Sequence, residues 1–293
     1  MASTTDKQGW NTVAIVGVGL IGASIGLALR ARGLARTVVG VGRSRPSLDT
    51  AVELQAIDTA TTDLADGVRD AELTIFCTPV GLIAGQVGEA APHAPAGALF
   101  TDAGSTKQAL CEQIAAAEVA QGVLAGGVRF IGSHPLAGGE QSGPAAGRAD
   151  LFVGRKVIVT PTGNHREEDV ARIASFWESL GASVERMTPE HHDRALAAVS
   201  HVPHLIAALL ANETDDQHLS LASTGWLDTT RIAAGDVEMW KQIVAANRGN
   251  IVEALLHFEG SLAALREAIE LDQHHKLEKI LADARSKRQA VGN

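Results

Sequence analysis

The sequence predicts an α/β fold: a Rossmann-type doubly wound sheet domain, then an all-helical C-terminal dimerisation domain. Three observations predict it. A short apolar run at 12–17, TVAIVG, passes directly into the spacing G-x-G-x-x-G and a small-residue helical pattern. Apolar runs of strand length then alternate with helical segments as far as residue 188. Beyond that point the periodicity is helical and no further strand is convincing.

Taken in order, 12–17 reads as a buried strand, LIGASIGLALRARG as a helix ending at Gly33, and TVVGVG as the second strand. SLDTAVELQA reads as a helix, and AELTIFCTPV and AGALFTDAG as strands. VRFIGSHPL and GRKVIVTPT add two more strands. EDVARIASFWESLGA is an amphipathic helix and SVERMT a last strand. PEHHDRALAAVSHVPHLIAALLANE then runs as one long helical pattern, which Pro203 is placed to kink. Residues 236–289 are almost continuously helical. The expected division is a dinucleotide-binding domain at 1–188 and a helical substrate and dimerisation domain at 189–293.

Bulk composition narrows the function. At 293 residues the chain has room for two domains. Only 3% of residues are aromatic, with no tyrosine, so Ala, Val, Leu and Ile must fill the core. A net charge of -9 argues against a general nucleic-acid binder. Cys77 and Cys111 lack metal-type spacing and suggest no disulfide framework. The N-terminus MASTTDKQGW is polar, and no run reads as the roughly 18–20 apolar residues of a membrane span. A cytoplasmic protein is the expectation.

Gly17, Gly19 and Gly22 form G-x-G-x-x-G after a strand and at the start of a helix. The first glycine permits a tight turn, the second a close approach to a pyrophosphate, and the third close helix–strand packing; Gly26 extends the small face. Such sites usually show a carboxylate about 20 residues on, where it binds the ribose 2′-hydroxyl. Here the chain has Gly42, Arg43, Ser44 and Arg45. A guanidinium and a hydroxyl suit a 2′-phosphate, which favours NADP over NAD; an ordinary solvated loop is the alternative. The cofactor-binding candidates are Gly17, Gly19, Leu20, Ile21, Gly22, Arg43, Ser44, Arg45, Thr78 and Pro79.

His134 stands in FIGSHPLAGGEQSG, at the end of an expected strand, where ligands of such sheets bind. A neutral histidine there accepts a proton from a hydroxyl undergoing oxidation. Ser105, in TDAGSTK, also ends a strand and is either a helix cap, a ligand contact or both. His192, His201 and His204 lie in EHHDRALAAVSHVPH. No third ligand stands at metal spacing, so anion binding or orientation is expected of them and no metal. Arg231 presents a bidentate fork suited to a carboxylate, Asp228 either steadies it or lies in the dimer region, and Trp240 reads as core.

Together VGVGLIGASIGLALR, DAGSTK, GSHPLAGGEQSG, SHVPH, TTRIAAGDVEMW and Asn247 resemble, in order, the prephenate/arogenate (cyclohexadienyl) dehydrogenase family of tyrosine biosynthesis. The resemblance covers about residues 12–285. It implies oxidative decarboxylation of a cyclohexadiene ring with hydride transfer to nicotinamide, in a homodimer joined through the helical domain. It implies His134 as the catalytic acceptor, Ser105 as its orienter, Arg231 as the substrate-carboxylate arginine, and His192, His201 and His204 as substrate-pocket histidines. Asp228 and Trp240 match positions around that pocket. Prephenate ends in a keto acid, whereas arogenate carries an ammonium; Glu140 either pairs with that ammonium, supports the pocket indirectly or is a solvated loop residue. The rival readings are a β-hydroxyacid dehydrogenase or imine reductase, which would use Lys241, and a nicotinamide-binding sensor without turnover.

Overall fold

The computed structural model describes residues 9–139 and 141–291. Strand β1 (Trp10–Val16) threads the core, with Val13, Ala14 and Ile15 fully buried. Gly17 then takes φ of +94° and turns the chain into α1 (Leu20–Arg32). Helix α1 stops at Gly33, whose left-handed conformation suits only glycine at low cost. β2 (Ala35–Val41), α2 (Arg45–Glu53), β3 (Thr59–Thr61) and α3 (Leu64–Val68) follow. β4 (Leu73–Phe76), α4 (Val80–Ala90), β5 (Leu99–Asp102), α5 (Gln108–Gln121) and β6 (Arg129–Phe130) complete the first layer system. Helices α3, α4 and α5, which the strand pattern does not announce, supply crossovers.

The first sheet is all parallel, in the order β3-β2-β1-β4-β5-β6. Its two faces are distinct cores. Val13 and Ile15 of β1 pack with Ile25, Leu29 and Trp177, whereas Ala14 and Val16 pack with Phe76, Phe100 and Val87. That period of two is why the strands read as continuous apolar runs.

The stretch VRFIGSHPL is not one strand. It bends at Ile131, so that Phe130 pairs with Phe100 in the first sheet and Gly132 pairs with Thr160 in a second. This second sheet has the order β7-β8-β9, with β7 (Gly132–Pro135) antiparallel to β8 (Lys156–Thr160) and β8 parallel to β9 (Ser183–Arg186). Glycine is required at the bend, because a Cβ on Gly132 would stand 2.5 Å from Thr160 Oγ1. Helix α6 (Glu167–Ser179) buries Val170, Ile173, Phe176 and Trp177 in the first core and carries Glu167, Glu168 and Asp169 in its first turn, where the helix dipole favours them.

The helical part begins with α7 (Pro189–Leu196), a π-helical turn at Ala197–His201, and α8 (Val202–Glu213). Pro203 falls in the first turn of α8, and the π turn before it lets the helix continue. The result is a single 25-residue helix, Pro189–Glu213, long and apolar enough to cross a membrane by length and composition. That corrects the reading that no run reaches span length. It nevertheless carries buried His192, Asp193 and His201, hydrogen bonded within the protein, and buried His204, stacked on Trp240. α9 (Thr224–Thr230), α10 (Val237–Ala246), α11 (Arg248–Glu270) and α12 (His274–Val291) complete the described residues. Their own core is small, with Ala197, Val202 and Ile251 buried together, whereas Leu256, Leu262, Ile269 and Leu281 are exposed.

Candidate active site

The glycine turn has the geometry of an anion cradle. A Cβ on Gly17 would meet the Cys77 backbone at 2.9 Å, and one on Gly22 would meet the Gly17 carbonyl oxygen at 2.3 Å. A Cβ on Gly26 would collide with the Ala56 carbonyl oxygen, and its absence lets α1 lie against the chain there. Gly19, by contrast, faces open space. Helix α1 has no side-chain cap and no acidic residue in its first turn. Its first N–H groups, those of Leu20 and Ile21 among them, are thus presented to a ligand together with the positive end of the helix dipole. These residues fit a dinucleotide.

Thr78 and Pro79 stand at the neighbouring strand end. Thr78 lies against Gly17 and its hydroxyl donates to Gln86 Oε1 at 2.5 Å, while Pro79 is the N-cap of α4. Past β2, the Ser44 hydroxyl caps α2 by accepting from the Ser47 N–H at 3.4 Å. Arg45 is drawn to Asp49 at 3.0 Å and toward the Ala60 carbonyl, so its guanidinium is already engaged. Arg43 is exposed.

His134 lies on β7 and retains 9% exposure, whereas His192 behind it retains none. His134 Nδ1 is 2.9 Å from His192 Nε2, and His192 Nδ1 is 2.7 Å from Asp193 Oδ1. Both nitrogens of His192 are therefore used within the protein. His192 thus stands behind His134, with its ring nitrogens turned to His134 and Asp193. His134 titrates well below the usual histidine value, because burial disfavours its charged form and His192, Lys107 and His201 add to the effect. Burial likewise lowers His192, against the raising influence of its bond to Asp193. At neutral pH both are uncharged.

Asp193 is bonded far beyond its own helix. Its carboxylate accepts the Lys107 N–H at 2.8 Å and the Gln108 N–H at 2.9 Å, capping α5 from 85 residues away. Ser105 is therefore not that helix's cap, because the N-cap position is Lys107 and the capping oxygens are those of Asp193. Ser105 is half-buried in the loop between β5 and α5. In the same loop Lys107 and Asp102 form a salt bridge with both side chains fully buried. Asp102 also accepts the Ser133 N–H at 2.9 Å and the Gly104 N–H at 2.8 Å. Trp177 Nε1 donates to Ser133 Oγ at 3.0 Å, tying β7 to α6.

His201 and His204 meet Trp240. The His204 ring stacks on Trp240 with centroids 3.5 Å apart, and His201 stands edge-on at 6.1 Å. Trp240 is thus a half-buried wall beside the histidines, not a core residue. Asn247 Nδ2 donates to the Asp193 carbonyl oxygen at 2.7 Å and faces His201 Nδ1 at 3.1 Å. His201 is pushed down to about 4, first by burial, and burial lowers His204 too. Both are uncharged at neutral pH. Arg231 and Asp228 are exposed at the end of α9. Glu140 lies outside the described residues.

Lys107, Asp102 and Asp193 join the site although no motif in the sequence singles them out. A signal is nevertheless present in DAGSTK, where Asp102 and Lys107 bracket a run of small residues, but Asp193 sits among the polar residues of EHHDR and has none. Lys241, the lysine of the rival hydroxyacid reading, is exposed and pairs with Glu238 at 2.9 Å. Burial raises both cysteine thiols, Cys111 to about 12, so neither is a thiolate nucleophile. A cavity of about 1080 Å³ lined by Trp10, Arg32, Glu72, Arg172 and Phe176 contains none of these groups.

Comparisons with known proteins bear on this geometry. The family description "Prephenate dehydrogenase, nucleotide-binding domain" matches residues 25–186, and "Prephenate dehydrogenase, dimerization domain" matches 188–283. The chain is 34% identical to a cyclohexadienyl dehydrogenase of Zymomonas mobilis over 264 residues, 88% of each chain. It resembles prephenate dehydrogenase of A. aeolicus in complex with hydroxyphenyl propionate and NAD+, with TM-score 0.86, 31% identity, and coverage of 96% of this chain and 98% of that one. It also resembles Synechocystis arogenate dehydrogenase, with TM-score 0.80, 31% identity, and coverage of 96% and 99%.

Proposed function

The chain belongs to the prephenate dehydrogenase family, and from that premise we propose how its own residues carry out the NAD(P)-dependent oxidative decarboxylation of prephenate or arogenate. The observation that carries the reading is His134: uncharged, at a strand end, and held by a buried hydrogen-bonded chain. When bound, the nicotinamide supplies a hydride acceptor for the ring carbon that bears the hydroxyl. His134 takes the hydroxyl proton and returns it to the ring oxygen as CO2 departs and the ring becomes aromatic. Ser105 orients the hydroxyl, and Arg231 binds a substrate carboxylate as a bidentate fork. His201 and His204 hydrogen bond the rest of the substrate beside Trp240, with Asp228 nearby, and Glu140 pairs with the ammonium of arogenate. The labour divides between the cofactor domain at 1–188 and the helical domain at 189–293.

The test is to supply prephenate or arogenate with NAD or NADP and follow the absorbance of the reduced cofactor. Turnover in at least one combination is expected, and none in any would overturn the reading. NADP is the preferred form in this proposal, because no carboxylate occupies the ribose position and Arg43 is open there. Arg43→Ala should lower kcat/KM for NADP by about tenfold, the loss of one charge-assisted contact, and leave that for NAD nearly unchanged. An equal loss with both cofactors would refute the assignment.

The exposed leucines and Ile269 of α11 and α12 are the surface through which the chain forms a homodimer. Light scattering should give twice the 30.5 kDa of the chain, and a monomer at micromolar concentration would contradict it.

A further inference from the structure

We propose that Asp193 and His192 are positioning residues that hold His134 in the tautomer protonated on Nδ1, leaving Nε2 as the free proton acceptor. The inference deepens the function proposed above and rests on His134 being the acceptor.

The directions of the hydrogen bonds follow from one end of the chain. The Asp193 carboxylate accepts two backbone N–H groups, those of Lys107 and Gln108. An amide N–H only donates, so both carboxylate oxygens are committed as acceptors. Oδ1 also lies 2.7 Å from His192 Nδ1, so that nitrogen carries the proton. A neutral imidazole has one donor and one acceptor, and His192 Nε2 is therefore the acceptor. It stands 2.9 Å from His134 Nδ1, which must in turn be the donor. What remains on His134 is the lone pair of Nε2.

The arrangement serves the reaction twice. Before turnover it selects the useful tautomer, which a solvated histidine would adopt only part of the time. When the substrate O–H bond breaks and its proton moves to Nε2, the resulting imidazolium is stabilised through His192 by the Asp193 carboxylate. A second proton on His192 would reverse the sense: His192 Nε2–H would donate to His134 Nδ1, and the only proton of His134 would block Nε2. Burial of His192 opposes that state, as does Lys107, while Asp193 and Asp102 favour it. His201 is the remaining titratable group among the charged and ionisable neighbours of His134.

Asp193 also caps α5, so substitution there would confound folding with orientation. His192 separates the two. In His192→Gln the amide oxygen can accept the His134 Nδ1–H, and in His192→Leu nothing can. His192→Leu should lower kcat at least about tenfold, with little change in KM, and His192→Gln should restore most of that loss. In protein labelled with 15N at histidine, two-bond 1H–15N correlations should place the His134 proton on Nδ1 in the wild type and shift it toward Nε2 in His192→Leu. A wild-type His134 protonated on Nε2, or equal kcat for the two His192 variants, would overturn the proposal. His134→Asn is run beside them: if it keeps full kcat, the acceptor assignment itself is wrong, whatever the tautomer readout gives.

Discussion

His134→Asn should lower kcat by about 10²- to 10⁴-fold, the usual contribution of a positioned general base, while leaving cofactor affinity near its wild-type value. The two effects separate because the glycine turn is built by Gly17, Gly19, Gly22 and the start of α1, none of which bonds His134. The same assignment fixes a pH dependence. The acceptor must be uncharged, and burial, followed by His192, Lys107 and His201, holds His134 well below 6.5. A lowered pKa keeps the group unprotonated further into acid. The acid limb of kcat/KM should therefore fall below pH 6.5, with no loss between pH 8 and that value from this group. An acid limb at or above 6.5 would contradict the environment described for His134.

The second large effect is on stability. Lys107→Met should destabilise the protein by about 3–5 kcal/mol, because it leaves the Asp102 carboxylate buried without its counter-charge. Two backbone N–H bonds to Asp102 survive, from Gly104 and Ser133, and they do not neutralise it. Total stabilities are of order 5–15 kcal/mol, so the variant should unfold at distinctly lower denaturant. Adding Asp102→Asn should recover much of the loss, since the uncompensated charge is then gone. A Lys107→Met protein within about 0.5 kcal/mol of wild type would show that the pair is not the buried ion pair described here. The consequence reaches the site, because Asp102 holds Ser133, and Ser133 is the residue before His134 on β7.

Much of the first layer system was legible because local rules and the global fold agree there. β1, the glycine turn, α1 and its stop at Gly33 each carry a period or a backbone demand that names them. The second sheet was not legible. VRFIGSHPL is apolar throughout, and nothing in its composition says that Ile131 is a corner between two sheets; that is settled by Asp102, a strand away, accepting the Ser133 N–H. β3, three residues of Thr and Ala, has too little length to give a periodicity.

The site divides the same way. His134 was visible because it stands near a strand end, just ahead of a glycine-rich stretch. His192 was visible as a residue type, but its role depends on which face of α7 meets β7. Asp193 was the hardest to see, because its partners Lys107 and Gln108 lie 85 and more residues away in sequence. Trp240 reads as core from its size alone, whereas the structure leaves it half-buried and stacked on His204.

The measurement that bears most directly on the whole account is stoichiometric. Purified protein is given limiting prephenate or arogenate with excess NAD or NADP, and CO2 released and cofactor reduced are counted together, with His134→Asn alongside. One CO2 is expected for each reduced cofactor, with progress slowed by orders of magnitude in His134→Asn. Cofactor reduction without CO2, or undiminished turnover when His134 is replaced, would contradict it.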